Sequence, residues 1–153
     1  MFLATDDYTF QELSFRGFYQ ELIPLFKENH AETGHENTKY NPDYDRYLKF
    51  DKTGFLACFT ILHLPTDEFV GVALFFLDSE MQQQDLMTAY QSINFVTKKH
   101  RGAAYPFMKF CDDKLKNRGV NVIYRQSTLR SDIGKVYERM GYSLTEKLYL
   151  RRL

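Results

Sequence analysis

Residues 91–115 read QSINFVTKKHRGAAYPFMKFCDDKL. The first part, SINFVT at 92–97, has the composition of a short strand. Lys98 to Arg101 form a basic turn, and Gly102, Ala103 and Ala104 are small. The segment 106–118 then has helical spacing. Phe107, Phe110, Cys111 and Leu115 share one face, and Asp112, Asp113, Lys114 and Lys116 lie mostly on the other. Gly119 suits the left-handed position that ends a helix. A turn at the carboxyl end of a strand, opening a helix, aims several amide N–H groups at one spot. Those amides and the helix dipole favour an anion such as a pyrophosphate. Small residues at 102–104 let it approach the backbone, and Lys98, Lys99 and Arg101 add charge.

Upstream, FLACFTILHL and FVGVALFFL are apolar at alternate and intervening positions alike, and PTDE joins them. They predict an antiparallel hairpin buried on both faces under helices. YTFQELSF reads as a first strand. Phe18, Leu22, Leu25 and Phe26 recur at helical spacing, with Pro24 expected to kink or split that helix. NPDYDRYLKF starts a second helix, with Asn41 as cap, Pro42 in the first turn and Asp43 at the positive end. DSEMQQQDLMTAY is polar and reads as a long surface loop. Downstream, VNVIYRQST reads as a strand, SDIGKVYERMGY as a helix, and SLTEKLYLRRL as a last strand. A strand–helix–strand unit near 91–128 predicts a right-handed parallel crossover. The fold class is α/β (α+β), a single domain over 1–153, with a mixed central sheet of about six strands flanked by about four helices.

The chain has 153 residues, and 44% of them are apolar, enough for a full core. Twenty basic residues balance twenty acidic ones, which leaves no general footprint for nucleic acid or anionic membrane. No run approaches the ~20 apolar residues that span a bilayer, and the start, MFLATDDYTF, lacks signal-peptide character. Cys58 and Cys111 have no partner at metal spacing and read as buried free thiols, with no metal expected. A soluble, cytoplasmic protein is expected.

The element order and the C-terminal half resemble a GNAT N-acetyltransferase. In that superfamily a central strand feeds a Gln/Arg-x-x-Gly-x-Gly/Ala turn and a helix; here the turn runs from Arg101 to Pro106. VYERMGY at 136–142 is similar to the phrase on the family's fourth helix. FYQELIPLFKENHAETG and NPDYDRY resemble a subset of GNAT-like proteins encoded by bacteriophages, which implies the host cytoplasm. The resemblance implies acetyl-CoA as co-substrate. Its pyrophosphate would sit at Lys98, Arg101, Gly102, Ala103, Ala104 and Tyr105, with the pantetheine arm along Phe95 and Val96. Two departures stand out. Ala104 replaces the first loop glycine, and would be strained if its φ were positive. Pro106 replaces the final Gly/Ala and donates nothing, though it suits the first helical position.

By the same resemblance Tyr137 is the acid that protonates the departing thiolate. Its spacing with Ile133, Val136 and Met140 reads equally as core. SINFVT carries no carboxylate, so the base is sought in Asp78 and Glu80 at the end of the second apolar run, or in Glu32 and His30 between the first two helices, with Glu32 and Glu80 favoured. NPDYDRY is either a capped helix with Tyr44 and Tyr47 turned inward or the lining of an amine pocket. The acceptor is a primary amine of a small molecule or protein, and the resemblance is compatible with a homodimer. The alternative is a catalytically decayed GNAT-fold phage protein that binds a host or virion partner.

Overall fold

The computed structural model describes residues 5–34 and 39–153. After a 3-10 turn at Thr5–Asp7 come strand β1 (Tyr8–Leu13), helix α1 (Phe15–Thr33), helix α2 (Tyr44–Lys52) and strands β2 (Leu56–His63), β3 (Glu68–Glu80) and β4 (Gln83–Val96). A 3-10 helix at Lys98–Ala103 leads into α3 (Ala104–Asn117), then β5 (Val122–Tyr124) and α4 (Gly134–Arg139). The strands form one mixed sheet in the order β1-β2-β3-β4-β5. The first three pairings are antiparallel and β4–β5 is parallel, as the strand–helix–strand unit predicts.

The apolar runs at β2 and β3 are buried on both faces because helices cover both. On one side Phe75, Ala89 and Val96 pack under Phe107, Cys111 and Leu115 of α3. On the other, Val72, Leu74 and Phe95 pack under Phe15, Leu22 and Phe26 of α1. Gly71 is required by close approach: a Cβ there would sit 2.6 Å from Ile61 Cδ1. Gly119, at φ +92°, ends α3 as its position predicts. Cys58 and Cys111 are buried free thiols. Burial pushes the Cys58 thiol up to about 12, so it carries no thiolate chemistry at neutral pH.

Several expectations are corrected. Residues 78–90 are not a loop: β3 and β4 continue as a long hairpin that turns at Met81–Gln82. The polarity of 78–85 reflects the exposed end of this ribbon, whereas Thr88 and Ala89 are buried and pair with β5. Pro24 neither splits nor ends α1. It stands on the exposed side, where the carbonyl it leaves unpaired, that of Gln20, faces solvent. In α2 the cap is Asp43, whose Oδ1 accepts from Arg46 N at 3.1 Å, not Asn41. Residues 143–153 form no strand, so the sheet has five strands; Leu144, Leu148 and Leu150 are exposed there.

One side chain fixes the two N-terminal helices together. The Asp51 carboxylate, on α2, accepts from Phe15 N at 3.4 Å, Arg16 N at 3.1 Å and Ser14 Oγ at 3.2 Å. It supplies the capping that Ser14 itself does not. No helix among the described residues is long and apolar enough to cross a membrane.

Candidate active site

Strand β4 pairs with β5 only at Thr88, Ala89 and Tyr90. Beyond Tyr90 the two part. On its other edge β4 stays paired with β3, but Leu74 faces Ile93 while Phe75 faces Gln91, which leaves Ser92 as a bulge. The parting exposes one edge of β4 from Gln91 to Val96.

Tyr137 of α4 is buried beside this opening. Its hydroxyl donates to Gln126 O at 2.9 Å, and Gln91 Oε1 lies 3.4 Å away. Burial raises its pKa, against the Arg125 charge and the Asn94 and Gln91 side chains, so the phenol keeps its proton at neutral pH. Gln91 Nε2 also donates to Gln126 O, at 3.3 Å, and so bridges the two diverging segments. Arg125, whose side chain is fully buried, donates to Asp112 Oδ1 at 2.6 Å and to Tyr142 Oη at 3.0 Å. Tyr142 donates in turn to Asp112 at 2.7 Å. This triad fixes the base of the opening. Tyr137 is therefore core, as one of its sequence readings has it, and its hydroxyl reaches the parted strands.

The basic turn is more closed than its sequence implies. Residues 98–103 wind as a 3-10 helix that runs straight into α3. His100 N donates to Thr97 O at 2.9 Å and Ala104 N to Arg101 O, so the amides expected to converge on an anion are turned back into the chain. Lys98 and Lys99 stand at the start of this helix and are exposed. Ala104 has φ −64°, so it carries no strain. Pro106 is the third residue of α3 rather than its first.

Lys98, Arg101, Gly102 and Tyr105 are exposed on this turn, whereas Phe95, Val96 and Ala103 are buried in the two cores. Arg101 is engaged: Nε donates to Val96 O at 3.1 Å, Nη2 donates to both oxygens of Glu32, and the guanidinium lies over the Phe95 ring. Glu32 thus joins the end of α1 to the turn. Glu80 is elsewhere. It pairs with Gln83 at the far end of the hairpin, nine residues along β3 from Gly71, which faces Val96. That is on the order of 30 Å of extended strand.

On the opposite face, a cavity of about 280 Å³ lies between α1, α2 and the sheet. Phe15, Phe26, Tyr40, Tyr44 and Tyr47 give it an aromatic wall, and Ile93 gives it contact with β4. Tyr47 Oη is 2.8 Å from Oγ of the bulged Ser92. The Tyr40 and Tyr44 hydroxyls bond to each other, and burial with this bond raises the Tyr40 pKa. His30 lines the same cavity, and its buried Nε2 has no hydrogen-bond partner. The stretch NHAETGHE ends outside the described residues, at His35 and Glu36. NPDYDRY is a capped helix, as one reading has it, and Tyr44 and Tyr47 also line this cavity. Sequence reasoning missed Tyr40, Phe15, Phe26 and the Ser92 bulge. The spacing of Tyr40, Tyr44 and Tyr47 (i, i+4, i+7) was the available signal for one aromatic face. Among the described residues there is no group of three or more His, Cys, Asp or Glu able to hold a metal.

No protein-family model matches the chain, and no curated protein is found similar to it. Solved structures do match it along nearly their whole length. An aminoglycoside acetyltransferase, meta-AAC0020 from an uncultured soil metagenomic sample, crystallised with sisomicin, superposes with a TM-score of 0.72 at 14% identity, covering 99% of this chain and 97% of that one. The ribosomal-protein-alanine N-acetyltransferase of Brucella melitensis gives 0.69 at 18% identity, over 95% and 99%. A predicted acetyltransferase from Clostridium acetobutylicum, solved with acetyl-CoA, gives 0.68 at 14%, over 94% and 96%. The chain has the GNAT fold. In GNAT-fold terms the parted strands β4 and β5, the turn after β4 and the α1–α2 cavity lie on three sides of one stretch of strand, residues 91–96.

Proposed function

We propose that the protein is an N-acetyltransferase that takes acetyl from acetyl-CoA and delivers it to a primary amine. One observation carries this reading. β4 leaves β5 after Tyr90, and within three residues the buried Tyr137 hydroxyl approaches it from one side and the cavity meets it at Ile93 from the other. A reaction between two ligands arriving from opposite sides of a strand needs that arrangement.

Acetyl-CoA supplies an acyl carbon bonded to a leaving sulfur. The groups present fit its two ends unequally. The open edge of β4 offers backbone groups to the amide-containing arm, with Gln91 required to release Gln126 O. The pyrophosphate would rest on the side chains of Lys98 and Lys99, and on Arg101 once it leaves Glu32. In the transfer the amine nitrogen bonds to the acyl carbon and the carbon–sulfur bond breaks. The amine proton passes to a base at the cavity, for which His30 is better placed than Glu80, and Glu32 serves as the Arg101 partner. The sulfur takes its proton from Tyr137, which holds one across the neutral range. Acetyl-CoA is expected to raise the melting temperature, and Tyr137→Phe to lower kcat about 100-fold or more while leaving that shift intact. No shift at millimolar acetyl-CoA would sink this reading.

A second reading is favoured by the closed turn. With the 101–104 amides bonded internally, Arg101 held by Glu32 and Gln91 spanning the opening, the fold would serve as a binding protein whose catalysis has decayed. Its partner would be a host or virion protein if the gene is carried by a phage. A pull-down separates the two: unchanged partner capture by Tyr137→Phe, with no acetyl product from either protein, supports it.

A further inference from the structure

We propose that residues 143–153 are an exchange arm: each copy of this chain lays its arm along the open edge of β5 in a second copy, and the two form a two-fold dimer. The arm itself is the reason. All of its residues are exposed, and five are large and apolar: Leu144 is 79% exposed, Leu148 91%, Tyr149 87%, Leu150 63% and Leu153 108%. Apolar side chains scattered singly in water are ordinary, but a run of them on one segment marks a contact surface. The backbone is equally unmet. Among the described residues, no backbone hydrogen bond joins 143–151 to another segment. β5 ends the sheet, so the outer edge of Val122–Tyr124 pairs with no described strand. An open edge and an unpaired segment are the two halves of one ladder. This dimer stands whether or not the transferase reading does.

The pleat of the arm fits that edge. Ile123 packs on the α3-side core, and Tyr124 stacks on Tyr90 on the opposite face, with ring centres 4.7 Å apart and planes at 8°. With Tyr149 opposite Tyr124 in an antiparallel pairing, Leu148 and Leu150 fall on the side of Ile123, and Tyr149 extends the tyrosine row. The same register sets Arg151 beside Val122 and aims the arm at the hairpin end, since β4 continues past Thr88, the partner of Val122, towards residue 83. Residues 78–85 there are mostly exposed and carry Asp78, Glu80 and Asp85 with no Lys or Arg. The arm carries Lys147, Arg151 and Arg152 against one acid, Glu146, so opposite charges meet. The root of the arm explains the second copy. Tyr142 is held on the α3 side by Asp112 and Arg125. Desolvation, Glu80 and Tyr124 raise the pKa of the Tyr90 phenol and Glu146 adds to them, so the arm passes close to its own edge before it leaves unpaired. A two-fold exchange needs the root of one arm close to the edge that receives the other, and it meets both copies' needs at once. Arm, edge and hairpin supply about twenty residues a side, within the roughly 20–30 of a standard interface.

The experiment combines Tyr124→Cys and Tyr149→Cys in the full chain, whose own Cys58 and Cys111 are buried. Mild oxidation should link position 124 of one copy to position 149 of the other, giving a covalent dimer of twice 18.2 kDa on a non-reducing gel. A bond closed within one chain means that the arm folds onto its own edge, and it overturns the proposal; so does the absence of any bond. Tyr149→Cys alone should stay single, and its ready dimerisation would mean chance collisions of a free arm and overturn the proposal too. Should the double variant unfold, light scattering of the unaltered chain decides, with Leu148→Asp/Leu150→Asp beside it. Both leucines are exposed within one chain, so the fold does not need them. The unaltered chain should be a dimer at about 100 μM, and the two carboxylates should weaken that dimer about 100-fold or more, the loss of two buried apolar side chains. A monomeric unaltered chain, or a dimer that the two substitutions leave intact, overturns the proposal.

Discussion

The sheet carries a packed core on each face, and on the α1 side a pocket opens beside that core. On the α3 side the sheet presents Ala57, Ala73 and Ala89, and these short side chains let α3 settle close, with Phe75 and Phe107 closing the gaps. On the α1 side two helices must share one face, and Asp51 clamps them at the start of α1. The other end of α1 carries His30 and is tied by Glu32 to Arg101, and the aromatic side chains between line the pocket. Small residues under one helix make a core; large rings under two helices joined at one end make a cavity.

The contrast predicts unequal costs. Phe107→Ala on the filled face should destabilise by about 3–5 kcal/mol, because nothing can collapse into the hole. Ile93→Ala on the cavity face should cost at most about 2 kcal/mol, since Ile93 is already half-buried beside open space. Urea denaturation of both variants tests this, and equal losses would mean that the cavity closes in solution.

Next in size is Arg125→Met, which leaves the Asp112 carboxylate and Tyr142 without their cation. A loss of about 3 kcal/mol is expected, at the low end for a broken buried pair because Asp112 keeps 23% exposure. The Tyr137 ring should lose its fixed position with it, since the guanidinium lies 5.9 Å from that ring's centre.

Much of this was legible from residues 91–128. The parallel crossover, α3 and the place of Tyr137 follow from local patterns that agree with one another. What failed, failed for physical reasons. Residues 78–85 are polar because they form a ribbon in water, and polarity alone does not distinguish a ribbon from a loop. The expected last strand finds no ladder: β5 stops at Tyr124, and Arg125 and Tyr142 are drawn down to Asp112 rather than along the sheet edge. Glu32, sought as a base between the first two helices, is instead paired with Arg101 of the turn, and no single-sequence pattern links residues so far apart. The Ser92 bulge carries no Gly or Pro to announce it.

Glu32→Gln sharpens the comparison on the side of the turn. Both groups of this pair are more than a third exposed, so the variant should cost no more than about 1 kcal/mol of stability. Its ligand effect has the opposite sign. Freed from Glu32, Arg101 can turn to a pyrophosphate, and affinity for CoA should rise several-fold, up to about tenfold. Unchanged affinity would mean that the turn is held shut by its backbone alone.

The smallest effect concerns pH, and it too acts on the turn. His100 lies against His63 with ring centres 4.6 Å apart and planes tilted by 50°, and its Nδ1 is 2.8 Å from the Tyr8 hydroxyl. His63 is oriented by Thr66, 2.7 Å from its Nδ1. Desolvation lowers the His100 pKa, as do His63 and Lys99, against a weaker opposing pull from Glu68. A histidine whose folded pKa is below its ordinary value of about 6.5 binds fewer protons in the folded state than in the unfolded one. Stability therefore rises with pH across that window; the contribution is complete above the ordinary value and is lost as pH falls through it. The melting temperature should drop slightly between about pH 8 and about pH 5, the range in which histidine changes charge. His63→Gln, which removes the like charge, should flatten that slope. A steeper slope in His63→Gln would show that His63 shields His100 rather than repelling its proton.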